Sequence, residues 1–176
     1  MKRTSIRLIG ILLFTSAAIA QMSPPKPGPE LRKLDYFLGD WTSEGDSKPS
    51  PMGPGGKFTT SGHGEWMAGR FFLVVHSGFK GGAMGDATGT AYMGYNTDEK
   101  VYTYDEFNSM GENVHAKGTL DGDTWNWTNE FKMGPQTVKG RYTMKILSPE
   151  VYTFKFETSP DGTKWDTAME GKAKKK

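Results

Sequence analysis

The sequence predicts an all-β protein: a closed antiparallel meander barrel of about ten strands, preceded by a short N-terminal helix. Apolar and polar residues alternate with a period of two along most of the chain after Trp41. Turn-forming pairs such as Asp121-Gly122 and Asp161-Gly162 separate these runs. The pattern Gly39-x-Trp41 at the start of the first run predicts a tryptophan that closes one end of the barrel. Closure of such a meander removes its exposed edges.

The first residues of the chain, 1–20, predict a cleaved signal peptide. An apolar run at 8–14 follows three basic residues, Lys2, Arg3 and Arg7. The small residues Ala18 and Ala20 place the cleavage before Gln21. The apolar run is shorter than the roughly 20 residues that a spanning helix needs, so no stable membrane insertion is expected after cleavage. The chain is therefore predicted to be exported, to the periplasm or the extracellular space.

The predicted domain organisation is simple. Residues 21–28 contain three prolines and form an extended tether, and residues 29–173 form a single barrel domain. Apolar residues recur with helical spacing between 29 and 38, at Leu31, Leu34, Phe37 and Leu38. The chain has no cysteine, so neither a disulfide nor a lipid anchor is expected and the core alone must supply stability. Residues 174–176 are predicted to form a basic, disordered tail.

Ten strands account for the alternating runs. They are predicted at 40–46, 58–67, 70–79, 86–95, 99–107, 112–120, 123–132, 136–147, 150–158 and 163–172. Two segments are too rich in glycine and proline for strand interiors, 49–56 and 78–85, and are predicted to be mobile loops.

Charge excludes one class of partner. The whole chain has 22 basic and 20 acidic residues, a net charge of +2. Without the three basic residues of the signal peptide and the four lysines of the last five positions, 15 basic residues face 20 acidic ones. The mature body is therefore mildly acidic and has no basic stripe, which predicts no nucleic-acid partner.

The mature protein is also expected to be a monomer.

Several motifs in a fixed order make the chain resemble a known family. They are Leu34-Asp35-Tyr36-Phe37-Leu38-Gly39-Asp40-Trp41, Gly64-Glu65-Trp66-Met67-Ala68-Gly69-Arg70-Phe71-Phe72, Tyr92-Met93-Gly94-Tyr95-Asn96, Arg141-Tyr142-Thr143-Met144-Lys145, Asp161-Gly162-Thr163-Lys164-Trp165 and Met169-Glu170-Gly171. Over residues 28–173 the chain resembles the bacterial domain-of-unknown-function family 1579. The resemblance implies a calycin-like barrel, related in shape to the lipocalins, and implies no known activity. Gly39-x-Trp41 is also similar to the lipocalin entrance motif.

The aromatic residues of the later strands are the candidate binding site. Inward-facing rings would line a cavity suited to a small apolar or amphipathic ligand: Trp125, Trp127, Tyr142, Tyr152 and Phe154. Trp41 at the barrel base joins them, and Arg70 is expected to close over Trp41. The alternative is that these rings fill the core, because barrels near eight strands can be packed solid. The protein would then be a structural or interaction module that acts through its surface.

One further strand face carries a carboxylate beside phenols. Tyr102, Tyr104 and Glu106 alternate and so share a face. This face would make a ligand anchor if it turned inward. An exposed acidic face is the favoured interpretation, since glutamate is seldom buried.

Metal, haem and catalytic chemistry find little support. His63 and Glu65 share a strand face and His76 lies on the next strand, but the spacing of a zinc site is absent and these residues are only weak metal candidates. The chain is similar in outline to the nitrobindins, which hold haem through a histidine near the C-terminus, yet residues 136–176 contain no histidine. A haem protein with His76 or His115 as the axial ligand is a less favoured alternative. No cofactor is therefore predicted. No cysteine nucleophile or Gly-x-Ser-x-Gly elbow is present, so an enzyme using His63, Glu65 and His76 is the least favoured alternative.

Overall fold

The computed structural model describes residues 25–50, 54–82 and 85–176. The predicted signal peptide and the first half of the tether lie outside the described residues. So do residues 51–53 and 83–84, which belong to the two predicted loops. No helix in the described ranges is long and apolar enough to cross a membrane.

The N-terminal helix is a 3₁₀ helix at Pro29–Phe37. Proline at its first position has the backbone angle that a helix needs and lacks an N–H that would otherwise go unpaired. Its buried residues are Leu31, Leu34 and Phe37, at intervals of three. A 3₁₀ helix has three residues per turn, so these side chains line one edge that faces the barrel. The backbone N–H of Leu38 donates to the carbonyl of Asp35 (3.2 Å) and ends the helix.

Ten strands follow the helix. They are β1 (Gly39–Ser47), β2 (Gly56–Trp66), β3 (Leu73–Gly81), β4 (Ala87–Asn96), β5 (Val101–Asn108), β6 (Asn113–Asp121), β7 (Thr124–Met133), β8 (Gln136–Ser148), β9 (Val151–Ser159) and β10 (Asp166–Lys175). Each strand pairs antiparallel with its neighbours in sequence, and β1 pairs with β10 to close the barrel. The predicted fold class, a closed antiparallel meander barrel of ten strands with a short N-terminal helix, is confirmed.

Several strand boundaries differ from the prediction by up to three residues, and two of these differences have identifiable reasons. The third strand begins at Leu73 rather than 70, because Arg70 lies in a turn and has a positive φ of 59°. This turn is closed by a hydrogen bond from the backbone N–H of Met67 to the carbonyl of Phe72 (2.9 Å). The last strand runs on through Lys174, which pairs with Thr42. The backbone N–H of Lys176 donates to the carbonyl of Asp40 (2.9 Å). The prediction of a disordered basic tail is therefore wrong: backbone pairing with β1 orders it.

The two ends of the barrel differ. The 3₁₀ helix lies across the end where β5, β7 and β9 begin, and its apolar edge joins the main core cluster with Trp125, Tyr102 and Leu73. At the opposite end β5 finishes at Asn108 and β9 finishes at Ser159. We call these the helix end and the open end.

Candidate ligand-binding interior

The helix end is sealed by side chains that bind backbone. The hydroxyl of Tyr102 donates to the carbonyl of Glu30 (3.2 Å), and the hydroxyl of Tyr36 donates to the carbonyl of Ser148 (3.1 Å). The ring of Phe37 lies 5.5 Å from that of Trp125, which is fully buried. These contacts fix the helix onto β5, β7 and β8.

Trp41 lies at the sealed end, as the Gly39-x-Trp41 pattern predicted. Its ring packs at 5.3 Å from Tyr36 and 5.2 Å from Tyr152. The cation over this ring is Lys175, whose Nζ is 5.5 Å from the ring centroid. The guanidinium of Arg70 instead lies 5.4 Å over Trp66. The expectation that Arg70 closes over Trp41 is corrected by this geometry.

Arg70 is held on the outside of the helix end. It donates to the carboxylate of Asp35 (3.0 Å), and the indole N–H of Trp66 donates to the same oxygen (2.8 Å). The motifs around Asp35 and Trp66 therefore tie the helix to the β2–β3 turn. Arg70 acts there as a positioning residue of the fold.

Two stacked aromatic pairs form one continuous part of the inner wall, on the adjacent strands β7, β8 and β9. Trp125 and Trp127 stack with centroids 5.7 Å apart and planes 7° apart. Tyr142 and Phe154 stack at 5.6 Å and 15°. All five aromatic residues predicted on β7, β8 and β9 therefore lie on inward faces, with Tyr152 next to Phe154 at 6.3 Å.

Glycine makes room for these rings. A Cβ at Gly118 would lie 2.4 Å from the ring of Trp127, and a Cβ at Gly171 would lie 2.6 Å from the ring of Phe154. The rings rest on bare backbone of the neighbouring strand, which keeps them flat against the wall.

Three tyrosines bring hydroxyl groups to the middle of the barrel. Burial raises the pKa of Tyr104, Tyr142 and Tyr152 above the ordinary value, so all three are neutral at physiological pH. The hydroxyls of Tyr142 and Tyr152 have no hydrogen-bond partner among the described residues. Each of the three side chains is nevertheless only partly buried. A desolvated ring that keeps accessible surface borders space inside the protein.

Glu106 also faces inward. The hydroxyl of Tyr104 donates to its carboxylate at 2.5 Å. A Cβ at Gly89 of β4 would lie 2.5 Å from Glu106 Oε1 and 3.0 Å from Ser77 Oγ, which places the carboxylate inside β3 and β4. The favoured expectation of an exposed acidic face is therefore wrong, because β5 turns its Tyr102, Tyr104 and Glu106 face to the interior.

Part of the inner face of β1 and β2 is small and polar, between Trp41 at the helix end and Phe58 toward the open end. Ser43 and Thr60 share a hydrogen bond of 2.5 Å across β1 and β2. A Cβ at Gly62, the next inward position of β2, would meet nothing closer than 3.8 Å. A side chain at Gly62 would therefore begin in ordinary van der Waals contact, whereas one at Gly118 or Gly171 would overlap its neighbours. The interior combines aromatic rings, hydroxyl groups and the carboxylate of Glu106.

The weak metal candidates lie on the outer face, where His63 and His76 are cross-strand partners that hydrogen-bond to different residues. His63 Nδ1 is 2.7 Å from the carboxylate of Asp40, and His76 Nδ1 is 3.1 Å from the hydroxyl of Thr90. Glu65 is exposed on the same strand as His63. Within the described part of the chain, no group of three or more histidine, cysteine or acidic side chains could hold a metal ion.

An ion-pair cluster outside the barrel was not predicted from the sequence. Glu157 faces outward yet is only 8% exposed, and it accepts hydrogen bonds from Arg141 (2.8 Å) and Lys155 (2.8 Å). Burial opposes the charge of Glu157, but these hydrogen bonds outweigh it and lower its pKa. The guanidinium of Arg141 stacks 4.3 Å over Trp165. Two of the family-like motifs therefore meet here and hold the β9–β10 connection.

The same connection is ordered by Asp161. Its carboxylate accepts hydrogen bonds from the backbone N–H groups of Thr163 (2.8 Å) and Lys164 (3.4 Å) and from the hydroxyl of Ser159 (3.2 Å). These hydrogen bonds lower the pKa of Asp161 to about 2. The motif Asp161-Gly162-Thr163-Lys164-Trp165 thus has a structural role in this turn.

Two wide depressions lie on the outer surface over β1 and β10. Their volumes are about 740 and 840 Å³, and both include the outward-facing side chains of Glu44 and Lys172. The second is also bordered by Lys57, Lys145 and Lys155. Open walls that carry charges of both signs suit solvent better than an apolar molecule. The interior is the better candidate site.

Fold and interior together define a small closed antiparallel barrel whose inward-facing side chains are mostly aromatic and hydroxyl groups. The chain belongs to the family described as a protein of unknown function, DUF1579, whose model matches residues 26–175. The family resemblance drawn from the ordered motifs is confirmed. No curated protein matches the chain.

Solved structures resemble the chain in fold. The crystal structure of Rv2717c from M. tuberculosis is 13% identical, with a TM-score of 0.59 over 86% of this chain and 99% of that one. The structure of EF1p2_mFAP2b bound to DFHBI is 10% identical, with a TM-score of 0.44 over 83% of this chain and 98% of that one. At such identities the first likeness shows a shared barrel fold and nothing of activity.

Proposed function

We propose that this protein is an exported, monomeric barrel that binds a small apolar or amphipathic ligand in its interior. The proposal rests on the hydroxyl of Tyr142, which faces the interior. This hydroxyl has no hydrogen-bond partner among the described residues, and the Tyr142 side chain is only partly buried. A polar group in a packed core would be hydrogen-bonded, because an unpaired buried hydroxyl costs about 1–3 kcal/mol. A cavity that a ligand or water enters removes this cost.

The chemistry of the wall sets the ligand class. The stacked pairs Trp125–Trp127 and Tyr142–Phe154 offer flat apolar faces. The hydroxyls of Tyr104, Tyr142 and Tyr152 add a few oriented polar groups. Pockets for small molecules have this composition: mostly aromatic and aliphatic surface with few convergent polar atoms.

Tryptophan fluorescence tests interior binding, because Trp125 and Trp127 are in the wall. Titration with 4-phenylbutanol is expected to give a saturable change in emission. Gly62→Phe fills the space beside Gly62 and is expected to abolish the saturation. Its neighbour Ser61 is exposed and points outward, so Ser61→Phe is the matched control and keeps the wild-type response. No saturable response in the wild type, or equal responses in both variants, contradicts the proposal.

Export is tested separately from binding. The basic start and the apolar run within residues 1–20 support cleavage before Gln21. Expression of the full chain in a bacterial host should yield a product in the periplasm or medium whose mass begins at Gln21. An uncleaved product in the cytoplasm would contradict export and leave interior binding unaffected.

An interaction role is the second candidate, and exposed aromatic residues favour it. Phe72 is 47% exposed and Tyr92 is 37% exposed on the outer side of β3 and β4. The ring of Phe72 lies against Gly94, where a Cβ would be 2.8 Å away. Exposed apolar surface of this kind is typical of protein contacts. Sedimentation of wild type and Phe72→Ser over a concentration series tests self-association. A monomer in both at all concentrations contradicts a role in self-association.

A further inference from the structure

The charge of the interior is uneven. Glu106 is a partly buried, inward-facing carboxylate on β5, while Asp166, which the register also places on the inward face, is exposed where β10 begins. No ion pair of the described residues includes Glu106. The inward lysine, Lys175, lies over Trp41 at the helix end. Glu106 is on β5 near the open end, two residues before Asn108.

The carboxylate of Glu106 is positioned but not saturated. Its Oε2 accepts the hydroxyl of Tyr104 at 2.5 Å. Its Oε1 lies beside Gly89 and has no hydrogen-bond donor among the described residues. A carboxylate has room for about four hydrogen bonds, and an ion inside a protein is stabilised chiefly by a cation or by several donors. What this position lacks is a positively charged donor.

The neighbouring rings also favour a cation. The ring of Tyr104 lies 5.9 Å from that of Trp127, so aromatic faces continue from Glu106 toward the middle of the barrel. A positive group near such faces is attracted by their π electrons. The apolar wall of Trp127, Tyr142 and Phe154 lies deeper, toward the helix end.

We propose that the interior ligand is an organic amine, with an ammonium head bound by Glu106 near the open end and an apolar body against the aromatic wall. This inference rests on the proposed interior-binding function and names the chemical class of its ligand. The Tyr104 hydroxyl holds one carboxylate oxygen in place while the ammonium group binds the other. Glu106 thereby selects the charge of the head, and the rings select the apolar body.

Three probes that differ only in the head group test the inference at neutral pH: 4-phenylbutylamine, 4-phenylbutanol and 4-phenylbutanoate. The wild type is expected to bind the amine about tenfold more tightly than the alcohol, as a charge-assisted hydrogen bond would give, and the carboxylate most weakly. Glu106→Gln is expected to make amine and alcohol affinities equal, with most of the change coming from weaker amine binding. Tyr104→Phe keeps the carboxylate and should keep the preference for the amine.

Glu44→Gln is the matched control. Glu44 is exposed, faces outward on β1 and borders both external depressions, so loss of amine binding in this variant would move the site outside the barrel. Equal wild-type affinities for amine and alcohol overturn the inference and leave interior binding intact. A preference that survives Glu106→Gln overturns it as well. Failure of all three probes to bind the wild type overturns interior binding, and the inference with it.

Discussion

Leu34→Ala tests how far the 3₁₀ helix stabilises the barrel. Leu34 is 0% exposed and belongs to the core cluster at the helix end. The change removes three carbons, about 2.4 kcal/mol at about 0.8 kcal/mol each. The cavity that remains adds about 1 kcal/mol or more, because a closed barrel collapses poorly onto it. We expect a loss of about 3–4 kcal/mol in the free energy of unfolding.

Urea denaturation followed by tryptophan fluorescence measures this loss. Lys33→Ala is the control, because Lys33 is exposed on the same helix and its substitution should change the free energy of unfolding by no more than about 0.5 kcal/mol. A loss below about 1 kcal/mol for Leu34→Ala would refute the reasoning. The helix would then be a dispensable cover rather than part of the core.

Two further predictions concern close approach and pH. Gly64→Ala would place a Cβ 2.2 Å from the carbonyl oxygen of Phe37, so it should lower the free energy of unfolding by about 1–3 kcal/mol. In Gly62→Ala, on the same strand, the new Cβ meets nothing closer than 3.8 Å, so the free energy of unfolding should fall by less than about 1 kcal/mol. Equal losses for the two alanine variants in urea denaturation would contradict this account. The pKa of Glu157 is lowered in the folded state, so its stabilising effect is present above the unfolded pKa of about 4.3 and is lost as pH falls below it. At pH 7 the free energy of unfolding of the wild type should exceed that of Glu157→Gln by about 1 kcal/mol. The difference is small because the partner cations remain partly solvated, and it should shrink between pH 5 and pH 3. A gap that stays constant with pH would exclude the ion pair as its cause.

The strand pattern was predictable because burial in a closed barrel follows the side-chain period of two. The alternation of Trp125 and Trp127 with Asn126 fixes one inward face, and the structure confirms the ten-strand count. The same rule predicted that Tyr104 and Glu106 share a face. It did not determine which face turns inward, since a carboxylate and two phenols have no clear apolar preference.

The orientation of β5 depends on residues distant in sequence. Gly89 and Ala91 on β4 leave the space into which Glu106 extends. Such a cross-strand relation depends on register, which the sequence of one strand does not contain. Arg70 shows the same limit: its positive φ and its contact with Asp35 arise from a tertiary contact across 35 residues. In the sequence, the lysines near the C-terminus look like a solvated end. Their pairing partner, β1, lies at the other end of the sequence of the domain, so the pairing is not visible locally.

Native mass spectrometry of the protein purified from a bacterial host, beside the same sample denatured, tests the central claim that the barrel interior holds a small molecule. We predict an additional mass of a few hundred daltons in the native spectrum, lost on denaturation and absent from Gly62→Phe. An additional mass that persists in folded Gly62→Phe would place the molecule outside the interior. A folded wild-type protein with only the mass of its polypeptide would contradict the claim and favour a packed barrel that acts through its surface.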